Sequence, residues 1–368
     1  MSRILRTVLI PLTLVVLAGA GAPAPGAEGP ACGRGTGVHL VGLDTASGKA
    51  LLSVPGREEG SYLVAWTPGE GGARPVREAE GAGRFGGSVG PGPVFAFRRC
   101  GAECLQPLRR DGGSWRPLGE PLTVPAGTTA HGTYDRSGAA WVVVHAAGTE
   151  RGTREAWAFR RTGPDWRPAG RLQVTAVGAP GALPAPWLED GIVSGTGLFR
   201  AGAPPELWVD GLPSGAGEPG ARLVPLGEAA AAVLVPAGRV FRTADRGATW
   251  RRTAWTPWTS GAAEPWTPGR DFTLDLATGA VGEALPVIWF DRRLPGRETL
   301  VYTEMSAAGR WREVARGPGR IPTSAGEDLF ADSVLRTADG RWSTLFGCVR
   351  SAGSPRLVAT TVVDGAVG

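Results

Sequence analysis

The run VFRTADRGATWRRTAW, Val240 to Trp255, decides how this chain is to be read. Its centre sets Thr243, Asp245, Gly247, Thr249 and Trp250 at fixed offsets, a hydroxyl, a carboxylate and a glycine crowded into eight residues ahead of a large aromatic. Asp and Gly together are turn formers, one by bonding nearby backbone and the other by accepting positive φ. The run therefore reads as the tip of a β-hairpin, with Trp250 opening the returning strand.

The same device recurs. Trp115, Trp166 and Trp311 each follow a turn rich in Gly or Asp, and each is followed by Arg, as Trp250 is. The segment from Arg270 to Gly317 reads as strand, Gly turn, strand, Arg-rich turn, strand, Gly turn, and a strand holding Trp311-Arg312-Glu313-Val314. The segment from Thr128 to Val174 has the same order, with DRSG and TGPD as its turns. Self-similarity of four short strands at a spacing of roughly 40–50 residues is the pattern of propeller blades. The reading is an all-β chain forming a single β-propeller of four-stranded blades, seven by length, with six as the alternative. The C-terminal run DLFADSVLRTADGRWSTLFGCVRSAGSPRLVATTVV repeats three strands and stops. Because open sheet edges are avoided, the N-terminal segment GTGVHLVGLD is expected to close the ring as the missing strand.

Composition agrees with this reading. There are 58 Gly and 32 Pro in 368 residues, which interrupt any helical period, while 42% hydrophobic residues suffice for a substantial core. Residues 1–20 read as a signal peptide: Arg3 and Arg6, an apolar run, then Ala18-Gly19-Ala20, with cleavage alternatives as far as residue 27. Residues 21–31 form a Pro/Gly/Ala-rich linker, and 32–368 the propeller. The expected location is secreted or periplasmic, with no transmembrane segment after cleavage. The formal charge of +5 falls to +3 when Arg3 and Arg6 are removed (5 − 2 = 3), too small an excess to indicate nucleic acid. Four cysteines in an exported chain point to disulfides, Cys100–Cys104 across a turn and Cys32–Cys348 tying the ends. The distant cysteines and three scattered histidines (His39, His131, His145) lack zinc spacing, so no metal and no cofactor are expected.

The Thr-x-Asp-x-Gly-x-Thr-Trp run at Thr243–Trp250 resembles the Asp-box, the BNR motif of sialidases and other secreted bacterial propellers; degraded copies end at Trp115, Trp166 and Trp311. VIWFDRR…ETLVYTEMS resembles a blade core of the same superfamily. The resemblance implies a structural hairpin between the third and fourth strands of a blade, away from the ligand-binding funnel. It also implies where sialidase chemistry would lie: an arginine triad for a carboxylate, a Tyr nucleophile activated by Glu, and an acid/base Asp. The Phe-Arg-Ile-Pro motif that carries one triad arginine near the mature N-terminus is missing here, and GRIP at Gly319–Pro322 stands near the wrong end. The catalytic candidates reduce to Tyr134, Tyr302 and Glu304.

Ligands of propellers meet the loops entering each innermost strand and the turns between second and third strands. On this reading the entry loops offer Arg84, His131, Trp187, Arg270, Asp271, Glu327 and Asp328; the turns offer Arg57, Glu58, Glu59, Arg151, Arg154, Arg292, Arg293 and Arg297. Of these, Arg292, Arg297, Arg270, Asp271, His131, Trp187, Glu327 and Asp328 are the ligand candidates, suited to a polar partner such as a sugar. His145, within WVVVHAA, reads as a satisfied sheet histidine. The expectation is a monomeric, non-catalytic module binding a glycan or an extracellular or periplasmic protein. A diverged sialidase-like hydrolase (an exo-glycosidase) and an assembly factor for a membrane-associated complex are the alternatives.

Overall fold

The computed structural model describes residues 39–44, 47, 49–55, 61–66, 74–81, 86–90, 92–111, 114–147, 151–177, 182–185, 187–218, 220–236, 238–253, 272–276, 278–279, 284–291, 299–306, 308–322, 328–336, 342–347 and 357–363. Among them are strands and turns and no helix. The chain is a β-propeller built from successive antiparallel meanders. Seven meanders follow one another among the described residues, over 39–81, 86–117, 129–177, 182–207, 222–252, 272–318 and 328–363; the last has three strands in its meander. First strands of neighbouring blades run side by side: Gly86–Gly90 pairs in parallel with His39–Asp44 on one side and with Thr129–Tyr134 on the other.

Why the second strands are so uniformly apolar follows from how the blades stack. Trp141 to Val144 are all at 0% exposure, although strand side chains alternate between two faces. Val142 and Val144 pack with Phe95, Phe97 and Leu105 of the second blade, whereas Trp141 and Val143 pack with Ala182, Ile192 and Phe199 of the fourth. The fifth blade repeats the arrangement: Ala231, Val233 and Val235 face the fourth blade, Ala232 and Leu234 the sixth. A strand covered on both faces needs β-branched and apolar residues without interruption. The core is therefore a series of inter-blade layers, each made by two consecutive blades.

Tryptophans tie those layers at their rims. The Trp166 indole donates to the Leu118 carbonyl at 2.6 Å, and the Trp250 indole to the Gly211 carbonyl at 3.0 Å. Both acceptors lie just beyond the fourth strand of the preceding blade. Trp166 and Trp250 thus pack their rings between blades while their N–H groups find partners, whereas the buried indole nitrogen of Trp115 has no hydrogen-bond partner among the described residues.

Two expectations need correction or placement. His39–Asp44 does not complete the last blade; it pairs with Ala50–Pro55 and is the first strand of the first blade. A one-sided match of a strand-like run to a vacant edge gave no information about which edge it joins. Leu357–Val363 pairs with Trp342–Gly347 and has no second partner among the described residues. The Cys32–Cys348 pairing and the leader lie outside the described residues. Cys100 and Cys104 do form a disulfide, with Cα atoms 5.0 Å apart, closing the turn between the second and third strands of the second blade. Its loop is so short that removal as Cys100→Ser/Cys104→Ser should cost about 2 kcal/mol on the chain-entropy scale. Urea unfolding would measure it, and a loss above twice that would show the bridge supports more than its own turn.

Candidate functional site

The opening run is scaffold in this structure. Its hairpin joins Arg239–Thr243 to Arg251–Arg252, the third and fourth strands of the fifth blade. Thr243 Oγ1 donates to Asp245 Oδ1 at 2.6 Å and accepts from the Gly247 amide at 3.0 Å. Asp245 accepts the Thr249 amide at 2.8 Å and the Thr249 hydroxyl at 2.5 Å. Bonds from the Thr243 side chain first, then from Thr249, hold the Asp245 carboxyl down to about 2. A carboxylate whose oxygens are engaged within its own turn serves that turn.

The tyrosine candidates are likewise committed to packing. Tyr134 ends the first strand of the third blade, its hydroxyl donating to the Pro93 carbonyl, and burial first, then the charge of Asp44, pushes it up to about 12. Tyr302 is fully buried in the third strand of the sixth blade, its hydroxyl 2.5 Å from Thr344 Oγ1 and its ring edge-on to Trp342. Glu304 Oε2 accepts from Arg312 at 2.8 Å and Oε1 from Arg336 at 2.8 Å. Burial alone would raise Glu304, but the Arg312 bond and the Arg336 charge outweigh it and hold the carboxyl below its ordinary value. Tyr302 and Glu304 thus share a strand but serve different partners, the pair Glu304–Arg336 joining the sixth blade to the seventh.

A different group of polar side chains meets at the end of the third blade where its first strand begins. Thr129 opens that strand and pairs with His145, the last residue of the second strand. His131 stands two residues along on the same face, and the His131 and His145 rings lie 6.0 Å apart at 50°. Arg154, near the start of the third strand, is 7% exposed, and Ala156 and Ala158 of its strand pack toward the fourth blade. From the fourth blade Ser194, last in its second strand, brings Oγ within 2.8 Å of His145 Nε2. The cluster therefore fills the seam between two blades at the entry end.

Backbone geometry makes this approach close. Gly195 follows Ser194 with φ of +53°, and a Cβ there would lie 2.6 Å from the Thr175 carbonyl, so only glycine lets the turn come down on the third blade. Thr196 then fastens it: its hydroxyl accepts the Thr175 amide at 2.9 Å, and its own amide donates to the Thr175 carbonyl at 3.2 Å.

Burial dominates the electrostatics of the seam. It brings His131 down to about 4, with the Arg154 charge adding to the fall; it brings His145 down to about 3, helped by His131 and then Arg154. Both imidazoles are neutral at pH 7. His131 Nε2 and His145 Nδ1 are buried ring nitrogens without a hydrogen-bond partner among the described residues. The seam thus holds two neutral imidazoles, each with one ring nitrogen left over, beside a buried arginine. Among the described residues no group of three or more His, Cys, Asp or Glu has the arrangement to hold a metal.

The structure thus brings together His131 and Arg154 from the sequence candidates and adds His145 and Ser194, which end strands of two consecutive blades with no local period linking them. Trp187 is not an entry-loop residue: it lies in the connection between the first and second strands of the fourth blade, stacked on Trp208 at 5.3 Å. That blade begins at Ala182, earlier than the spacing predicts. Asp328 opens the first strand of the seventh blade, opposite Pro322. Arg57, Glu58, Glu59, Arg84, Arg270, Asp271, Arg292, Arg293, Arg297 and Glu327 lie outside the described residues. On the same end as the seam, the disulfide turn is anchored by Arg99, which donates to the Thr128 carbonyl and, at 2.5 Å, to its hydroxyl.

No family model matches the chain, and no curated protein matches it. Among solved structures it is similar to a puromycin-hydrolyzing peptidase of Mycobacterium tuberculosis, 11% identical over 92% of this chain and 55% of that one, with a TM-score of 0.47. It is similar to the WD40 domain of SCAP from fission yeast, 8% identical over 91% and 89%, TM-score 0.45. It is also similar to the BP39L lectin of Burkholderia pseudomallei, 12% identical over 87% and 100%, TM-score 0.43. Likenesses this loose carry no argument about ligand or activity.

Proposed function

We propose that this chain is an exported, non-catalytic propeller of the Asp-box, sialidase-like kind, and that it binds a glycan on the entry end of its blades. The observation that carries the reading is the seam of His131, His145, Arg154 and Ser194, polar groups converging between two blades where the rest of the interface is apolar. Binding sites of this kind set a few converging polar groups in a largely apolar frame. Export is supported by the leader-like first residues and by the Cys100–Cys104 bridge, since disulfides persist in oxidising compartments.

The test is retention of the full chain on immobilised polysaccharides, neutral and acidic, with hydrolysis of a chromogenic sialoside followed in parallel. The expected outcome is retention without turnover, unchanged in Tyr134→Phe and Tyr302→Phe. Turnover abolished by either substitution would overturn the reading in favour of the hydrolase. Failure on every polysaccharide would overturn it in favour of a protein partner.

A further inference from the structure

A second group of charged side chains lies at the end of the blades opposite the histidine seam, on the outer rim between the fifth and sixth blades. We propose that this rim binds the phosphate of a phosphomonoester through Arg242, Arg251 and Arg310. The site is separate from the seam and does not depend on the glycan reading.

Strand geometry brings the arginines together. Arg242, in the third strand of the fifth blade, is paired directly with Arg251 in the fourth, so both side chains leave the sheet on one face. Val240 sets that face: it stands two residues before Arg242 and packs with Leu285, Val287 and Trp289 of the sixth blade. Trp250 packs the other way, against the layer shared with the fourth blade. Alternation then turns Arg251 toward the sixth blade and Arg252, paired with Phe241, toward the fourth. The sixth blade contributes the hairpin turn that joins its third and fourth strands. There Gly309 has φ of +78°, and the Ser306 hydroxyl accepts the Arg310 amide at 3.1 Å. The turn lies against Arg242, since a Cβ on Gly309 would stand 3.7 Å from both its Cδ and its Nη1. Arg310 is the next residue and is exposed.

The charge of this rim is unbalanced. Like charges on directly opposed strand residues are unfavourable. Among the described residues none of the three arginines forms an ion pair, because the nearby carboxylates are committed elsewhere. Glu304 holds Arg312 and Arg336, Glu313 holds Arg316, and Asp245 is engaged within its own turn. Arg242 Nε is moreover buried without a hydrogen-bond partner, a donor in want of an acceptor.

Charge and shape together name the ligand. A metal cation would add to the repulsion, whereas an anion relieves it and supplies the missing acceptor. A phosphomonoester carries a charge of about −1.5 to −2 at pH 7 and three strong acceptor oxygens. It can therefore meet guanidinium groups arriving from two blades at once, where a planar carboxylate matches a single guanidinium fork. Arg251, Ala308 and Arg310 are exposed, so the body of the ester stays in solvent while its phosphate reaches Arg242.

Calorimetric titration of the full chain at pH 7 and fixed ionic strength reads the site, with sn-glycerol 3-phosphate, inorganic phosphate and acetate as probes. The expected result is saturable binding of both phosphates with similar affinity, and acetate weaker by about tenfold or more. Arg251→Gln should weaken glycerol 3-phosphate by about tenfold, the effect of losing one charge-assisted hydrogen bond. Arg252→Gln removes the same charge one residue away on the other face, and should change the affinity by less than about threefold. Both positions are exposed, so both variants keep the fold. Equal losses in the two variants would reduce the effect to bulk charge and overturn the site. Acetate binding as tightly as the phosphates overturns the choice of ligand, and binding of inorganic phosphate alone overturns the ester. No saturable binding of either phosphate overturns the proposal outright.

Discussion

Gly247→Ala is expected to lower the stability of the propeller by about 3 kcal/mol, far more than its single added methyl would suggest. Gly247 sits at φ +90°, where a residue with a Cβ pays about 1–2 kcal/mol. The new Cβ would then stand 2.6 Å from the Gly211 carbonyl oxygen and 2.8 Å from Val209 Cγ1. Neither neighbour has room to withdraw. The Gly211 carbonyl already accepts the Trp250 indole at 3.0 Å, and the adjoining Asp210 amide donates to the Arg246 carbonyl at 3.1 Å. Overpacking against held backbone adds about 1–3 kcal/mol. Gly138→Ala is the control: its φ is +82°, but a Cβ there meets nothing within 4 Å. That variant should lose only the conformational part, about 1–2 kcal/mol. Urea unfolding of the two variants decides the matter, and equal losses would show that the contact with the fourth blade carries no weight.

The contrast between those glycines marks where the sequence was legible. Strand alternation, Gly and Asp turns and the recurring Trp are local signals, and they place hairpins correctly: Trp115, Trp166, Trp250 and Trp311 all stand within one residue of the start of fourth strands. The hydrogen bonds of Asp245 also close within six residues, so their residue pattern is visible in a short window. Which blade each face meets is another matter. WVVV announces a strand buried on both sides without naming the neighbours that bury it. His131, His145, Arg154 and Ser194 come from two blades and 64 positions of sequence (194 − 131 = 63 steps), and no local period links them. GIVSGTG, from Gly191 to Gly197, lacks any phosphate-loop context. Its glycine and hydroxyls instead bring Ser194 onto His145 and Thr196 onto Thr175. The fourth blade was the hardest to read because its strands run only two to four residues, too short for alternation to show, and Trp187 was misplaced for that reason.

Acidification should produce a loss as large as that of Gly247→Ala, and it should do so through the seam of His131 and His145. The two histidines lie at about 4 and about 3 in the folded chain against an ordinary value of 6.5. Their folded values are depressed, so the unfolded chain takes up protons first as the pH falls. Stability is therefore full above about 6.5 and is lost progressively toward 4 and 3. Each histidine contributes a slope of about 1.4 kcal/mol per pH unit inside that window. Between pH 6 and 4.5 the pair should remove about 3 kcal/mol. The charge of Arg154 opposes protonation of both rings, and Ser194 meets His145 Nε2 with a neutral hydroxyl that adds no negative charge. Asp245 acts lower: its carboxyl is held at about 2 against 3.8, so its contribution is full above 3.8 and is lost between there and about 2, beneath most of the histidine range. The double variant His131→Gln/His145→Gln should accordingly show a nearly flat urea midpoint from pH 6.5 to 4.5, where the parent chain falls steeply. Parallel decline in both proteins would mean that the seam does not titrate in the folded state as its burial requires.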